Sequence, residues 1–269
     1  MFDFLIGQGD LCFLDDRSGN VGDVLIREGS QHLLVQAGIP FEQVTAVEGV
    51  KDSRRKTLLV RGSGGWDQVF HAFMPHLVIE ASRHFRQVVI LPSKFDPREP
   101  IVHECLSREN VVAIAREEKS GRAIARYPRS ITAVDCAVYH SRFRPALSGD
   151  HEIARGQGTL LVLRENKGSL LADLGLGPDP AANKDISLKA ITLDEWFDQI
   201  ERSELVVTDR LHVAVAAALL GRRVAYVDPY DRKISTYFGY TFGESLAHSV
   251  HERSIAWLDE EGFVVPLAG

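Results

Sequence analysis

The sequence predicts an α/β fold of two domains with a cleft between them, and three observations predict it. Short, nearly continuous runs of Val, Ile and Leu alternate with helical patterns, as parallel strands covered on both faces require. A polar stretch carrying Pro145, Gly149, Gly156 and Gly158 breaks that alternation near mid-chain. The length of 269 residues matches two domains at about 150 residues each.

In chain order, the strand candidates of the first half are Leu11–Leu14, Val44–Val47, Thr57–Val60, Gln87–Leu91, Val111–Ala115 and Ile131–Val134. Between the first two, Ile26, Ser30, Leu33 and Ala37 share one helix face, and Gly38 closes the helix. A helical stretch from Trp66 to Phe85 is kinked or split at Pro75. Pro100–Arg108 and Glu117–Arg126 supply two more helices. From Tyr139 to Gly158 the polar composition reads as a linker between domains spanning residues 1–145 and 157–269. The second domain opens with strand Leu160–Leu163. An exposed loop is expected within Gly168–Lys189, and Thr192 with Glu195 forms a capping box for the helix carrying Trp196, Phe197 and Ile200. Strand Leu205–Val207, a helix over Leu211–Leu220, strand Val224–Val227 and a short helix near Lys233–Phe238 complete it. Such alternation gives two mostly parallel, Rossmann-like sheets.

Composition narrows the function. Lys and Arg number 31 against 37 Asp and Glu, a net charge of −6, which argues against a nucleic-acid partner because such partners select a basic face. No apolar run approaches the ~18–20 residues of a membrane span, and the start of the chain lacks the basic flank of a signal peptide. Contact with a membrane is expected to be peripheral at most, and the location cytoplasmic, with the inner face of the membrane an option. Cys12, Cys105 and Cys136 are widely spaced and odd in number, so buried thiols in a reducing compartment are expected. The His71/His76 and His248/His251 pairs lack a third ligand. No metal and no cofactor is indicated.

Several loops after strands carry residue types suited to a ligand. Ser18-Gly19-Asn20-Val21-Gly22-Asp23 opens the first helix, whose amides can meet an anion or a sugar hydroxyl; a plain capped turn is the competing reading. Gly62-Ser63-Gly64-Gly65 is neither a Walker loop nor GxGxxG, yet it permits close backbone approach. Ser93 and Arg116 follow the next two strands and fall on the same sheet edge. Val207-Thr208-Asp209-Arg210-Leu211-His212 runs from strand to helix, placing Arg210 and His212 in a first turn whose dipole disfavours cations. A bound anion would account for them, and Arg210 is then expected to be dispensable for folding. Pairing of Arg210 with Asp209 and burial of His212 is the alternative. Arg164 and Lys233 also follow strands and gather on that edge.

Together these motifs resemble the polysaccharide pyruvyltransferases. Gly19-Asn20-Val21-Gly22-Asp23 looks like that family's Gly-Asn-x-Gly-Asp start, Gly62–Gly65 like its glycine loop, and Arg116-Glu117 with Ser120 like its Arg-Glu-x-x-Ser element. Asp209-Arg210-Leu211-His212 matches its Asp-Arg-Leu-His signature, and Asp228–Lys233 is similar to its aspartate-to-lysine segment. The resemblance implies a GT-B-like fold and transfer of the pyruvyl group of phosphoenolpyruvate to a sugar of a cell-surface or exopolysaccharide precursor, as a ketal with loss of phosphate. It implies His212 and Arg210 as catalytic residues and Arg164, Lys233 and Arg116 as donor-binding. Asn20, Asp23, Gly64, Gly65 and Ser93 would take the acceptor, a lipid-linked oligosaccharide or polysaccharide repeat. A GT-B-type glycosyltransferase using a nucleotide sugar, or a saccharide-binding protein without catalysis, would also suit such a fold.

Overall fold

The computed structural model describes residues 1–66, 73–143, 156–165, 183–227, 233–242 and 255–256. The chain forms two compact units, Met1–Ser18 with Ile26–His140 and Gly19–Leu25 with Ser141–Gly269.

In the first unit, α1 (Phe2–Ile6) leads into β1 (Leu11–Leu14), then β2 (Glu42–Val44), β3 (Thr57–Val60), β4 (Gln87–Ser93), β5 (Val111–Ala115) and β6 (Ser130–Thr132). Neighbouring strands are parallel, in the order β2-β1-β3-β4-β5-β6. This is the flavodoxin-type doubly wound order, with its topological switch between β1 and β3. Every residue of β1, β3 and β5 is buried, which is why their sequences read as unbroken apolar runs. The second strand sits two residues earlier than its apolar run suggests. At this sheet edge Glu42 and Gln43 stay exposed while their backbone pairs with Cys12 and Phe13.

Helix α2 (Val21–Gln36) ends as its sequence predicts. Gly38 takes φ 63°, while its N–H and that of Ile39 return to the carbonyls of Val35 and Leu34, a Schellman closure. Trp66 does not begin a helix. It makes a parallel bridge to Phe95 and stacks near it, and helix α3 is described over Phe73–His84. Pro75 is the third of these residues, so it removes no hydrogen bond within the described helix. Helices α4 (Pro100–Leu106) and α5 (Glu118–Ile124) follow β4 and β5. The core joins Leu58, Val60, Val88, Ile90 and Ala113 of the sheet to Val78, Ala81 and Val102 of the helices.

In the second unit, β7 (Thr159–Val162), β8 (Leu205–Thr208), β9 (Arg223–Tyr226) and β10 (Ile255–Ala256) form a parallel sheet in the order β10-β9-β8-β7. Of the exposed loop expected within Gly168–Lys189, residues 168–182 lie outside the described residues; the rest is helix α6 (Ile186–Lys189) and its approach. Asn183 instead bridges to Leu161, and Asp185 is fully buried. Helix α7 (Leu193–Glu201) starts at the expected box: Glu195 N–H donates to Thr192 Oγ1 at 3.1 Å, and the Glu195 carboxylate accepts from Ile191 N–H at 2.9 Å. Helix α8 (Leu211–Leu219) is buried apart from His212, and its alanines let it pack closely on β8 and β9. Helix α9 (Lys233–Thr241) adds Tyr237 and Phe238 to the core. The expected linker is anchored at both described ends. Phe143 packs edge-on against Phe197, and a Cβ on Gly156 would lie 2.0 Å from the Ser203 carbonyl oxygen; residues 144–155 lie outside the described residues. Among the described residues no helix is long and apolar enough to cross a membrane.

Gly29 shows how tightly the first unit is assembled. A Cβ there would stand 2.2 Å from the carbonyl oxygen of Cys136. Gly29→Ala is expected to force α2 off that turn and destabilise the unit by about 1–3 kcal/mol. Urea unfolding measures this; an unchanged midpoint would contradict the close approach.

Candidate active site

At the carboxyl edge of the first sheet, β3 runs into Arg61 and the glycine loop. Packing demands glycine at Gly62, where a Cβ would meet the Pro92 carbonyl oxygen at 2.3 Å. Ser63 N–H donates to Ser93 Oγ at 3.0 Å, and Ser93 Oγ donates to the Leu91 carbonyl at 2.8 Å. Ser63 Oγ in turn accepts Gly65 N–H at 2.9 Å. Gly64 differs: the nearest atom to an added Cβ is Arg116 Nη2 at 3.7 Å, an ordinary contact. Among the described residues, then, no close contact demands a glycine at 64. Ser93, Gly64, Gly65 and Arg116 thus fall together on one edge.

The buried arginines of this edge have carboxylate partners. Arg116 lies 3.2 Å from Asp135, which is fully buried. Arg61, unremarkable in the sequence, donates to Asp16 at 3.0 Å and to Ser18 and the Gly62 carbonyl, tying the loops after β1 and β3 across the switch point. The Glu117 and Ser120 of the Arg-Glu-x-x-Ser element are absorbed by folding. The Glu117 carboxylate accepts from Ser120 N–H and Oγ–H at the start of α5, and Ser120 Oγ accepts Phe95 N–H.

The Gly-Asn-x-Gly-Asp segment belongs by its contacts to the second unit. Asn20 Oδ1 accepts Gly22 N–H at 2.8 Å and Asp23 Oδ2 accepts Asn20 N–H at 3.0 Å, a reciprocal cap with Asp in the third position. Gly19 has φ 102°, and a Cβ there would be 2.4 Å from Asp23 Oδ2. Gly22 serves a different purpose. A Cβ on it would stand 3.0 Å from His212 Nδ1 and 3.3 Å from His212 Cβ. The missing side chain lets the capped turn lie against the imidazole, so two motifs separated along the chain meet there.

The edge of the second sheet is built around β8. Thr208 Oγ1 donates to the Val162 carbonyl at 2.7 Å and accepts Arg210 N–H at 2.9 Å, fixing the turn out of the strand. Arg210 is the N-cap of α8 rather than a first-turn residue, with extended backbone at φ −95°, ψ 114°. Its guanidinium is buried and donates to Asp185, not to Asp209. Asp185 also accepts Glu165 N–H at 3.0 Å. Asp185 holds the N-cap position of α6 but makes no capping bond: its Oδ2 accepts from both Arg210 and Glu165 N–H, and its Oδ1 is buried without a hydrogen-bond partner among the described residues. No local signal in the sequence marks that use. Asp209 is fully buried, and its Oδ1 accepts Arg164 N–H at 2.8 Å. Burial pushes its carboxyl up from the ordinary aspartate range; the Arg164 N–H and the charges of Arg164, Lys233 and Arg210 act the other way. Arg164 is buried, while His212 and Lys233 are half-buried at the starts of α8 and α9. The charges of three cations thus act on one buried carboxyl whose charged form burial disfavours.

Asn166, Asp228 to Arg232, His71, His248 and His251 lie outside the described residues. His76 is exposed on α3, and no group of three or more metal-binding side chains occurs among the described residues.

The polysaccharide pyruvyl transferase family model matches residues 20–231. A solved structure from Klebsiella pneumoniae, of a protein described as functionally uncharacterised, has a TM-score of 0.70 and 18% identity to this chain. The alignment covers 91% of this chain and 92% of that one; at that identity the likeness shows a shared fold. No functionally curated protein matches.

Removing Arg210 would leave Asp185 buried without its cation. Contrary to the sequence-based expectation, Arg210→Ala should therefore cost stability, about 3–5 kcal/mol, read from denaturant unfolding. A variant as stable as wild type would show that the pair does not hold the start of α8.

Proposed function

We propose that this chain, which belongs to the polysaccharide pyruvyl transferase family, transfers the pyruvyl group of phosphoenolpyruvate to two hydroxyls of one sugar as a cyclic ketal, releasing phosphate. The sugar would belong to a cell-surface or exopolysaccharide precursor, with the reaction on the cytoplasmic side. The observation that carries the reading is the second unit's edge, where Arg164, Arg210 and Lys233 follow or precede neighbouring elements, their charges act on buried Asp209, and His212 stands at the start of the helix that Arg210 N-caps. A phosphate ester that also bears a carboxylate complements such an edge.

The proton balance assigns roles. C3 of the donor gains one proton and C2 becomes electrophilic. Two sugar hydroxyls attack C2 and lose their protons, and the C2–O bond to phosphate breaks, with phosphate leaving protonated. His212 is placed to supply the proton at C3, since imidazole exchanges protons near neutral pH. Arg164 and Lys233 would hold the anionic groups, and Arg210, anchored by Asp185, would stabilise charge on the departing phosphate. Asn20 keeps an amide donor that its cap does not use, and Asp23 lies beside it. Asn20 and Asp23 of the second unit are proposed as acceptor residues, and so, separately, are Gly64, Gly65 and Ser93 of the first. Arg116, paired with Asp135, would position the glycine loop beside it.

His212→Gln keeps a hydrogen-bonding amide and removes the titratable ring. It is expected to retain phosphoenolpyruvate binding and lose about 100-fold or more in kcat. The assay is phosphate release with a panel of acceptor glycans, with the pyruvyl ketal read by mass. Turnover at the wild-type rate would take the proton away from His212, and turnover with nucleotide sugars in place of phosphoenolpyruvate would overturn the donor.

A further inference from the structure

We propose that Asp209 is the proton-accepting counter-ion of the second unit's cation cluster: when a multiply charged anion binds there, a proton from solvent joins the Asp209 carboxyl. The proposal rests on reading that edge as the donor site, and it specifies how pH governs that site.

The geometry supplies both halves of the device. Asp209 has no exposed surface. Its Oδ1 is held by Arg164 N–H at 2.8 Å, whereas its Oδ2 has no hydrogen-bond partner among the described residues. The free oxygen is where a proton would reside. The cations whose charges act on it come from three elements: Arg164 at the exit of β7, Arg210 at the start of α8 and Lys233 at the start of α9. Behind Arg210 stands Asp185 at the start of α6, and His212 follows on α8.

In the free protein these cations oppose the effect of burial on Asp209. A bound phosphate or carboxylate neutralises them and adds negative charge nearby. Both changes favour the neutral carboxyl, so one proton passes from solvent to Oδ2 and no bond of the ligand is broken. Neutral Asp209 no longer competes for Arg164 and Lys233, which then serve the ligand. Departure of the anion reverses the step and returns the proton. Anion affinity should accordingly rise as pH falls, by up to about tenfold per pH unit where one proton is linked.

Sulfate is a suitable probe because it stays a dianion throughout the range and contributes no proton of its own. Calorimetric titration of the full chain with sulfate, in buffers of different ionisation heat and across neutral pH, counts the protons taken up. Wild type is expected to take up close to one proton more than Asp209→Asn, whose side-chain oxygen still accepts Arg164 N–H, and the variant's affinity should be flatter with pH. Equal proton counts overturn the proposal, as does absence of sulfate binding to wild type. His212→Gln provides the second arm, independent of whether Asp209→Asn folds. Uptake that persists in His212→Gln supports the proposal, and uptake lost with the imidazole overturns it. A parallel titration with phosphoenolpyruvate separates this inference from the proposed function. Asp209-dependent uptake with sulfate but no phosphoenolpyruvate binding removes the pyruvyl donor alone. Turnover of phosphoenolpyruvate with equal proton counts in both proteins removes the Asp209 role alone.

Discussion

Arg210 and Asp185 lie together in the second unit almost without access to water, and their pairing constrains what surrounds them. A buried guanidinium without a partner would be costly, so the end of β8 and the start of α6 are held together. Asp185 also binds the backbone of Glu165, which brings the exit of β7 into the same arrangement. Arg210 caps α8 with extended backbone, and this fixes where His212 begins the helix. The imidazole's place therefore derives from a contact that His212 itself does not make.

Against that fixed imidazole the chain sets a glycine. Gly22 lies in a turn that Asn20 and Asp23 hold with their own side-chain hydrogen bonds, independently of His212. The motif's residues consequently divide by role. Gly19, Asn20 and Asp23 make the turn, and Gly22 makes the approach. Resemblance alone treats such a motif as a ligand-binding string; the hydrogen bonds show that much of it builds the platform.

What was legible in the sequence follows the range of the interactions concerned. Strands β1, β3 and β5 are buried on both faces, so their composition alone marks their limits. The cap at Thr192 and the glycine closure at Gly38 are also local, and both occur where the pattern puts them. Edge strand β2 is displaced from its apolar run because its pairing is made by backbone while two side chains face water. Asp185 could not be read at all, since its partner is 25 residues away and it imitates an ordinary helix cap. Arg61 and Asp16 escaped for the same reason, being 45 residues apart and joined only by the sheet order. Arg210, His212, Arg164 and Lys233 were visible as residue types after strands. Which carboxylate each would face was not, because β-strand neighbours are set by topology.

The missing side chain at Gly22 leaves His212 undisturbed where the start of α8 holds it, and a graded substitution there tests this most directly. In Gly22→Ala the new methyl would stand 3.0 Å from both His212 Nδ1 and Asn20 Oδ1, so the imidazole and the cap must give by a few tenths of an ångström, and in Gly22→Val by more. Misplacement of a catalytic group on this scale should lower kcat about tenfold for alanine, with a steeper loss for valine. On the proposed reading the cations set the Kd for phosphoenolpyruvate, which should change little. Phosphate-release kinetics and calorimetry on the two variants separate these quantities. Loss of kcat with retained donor binding is the expected result, and a full kcat in both variants would contradict the account.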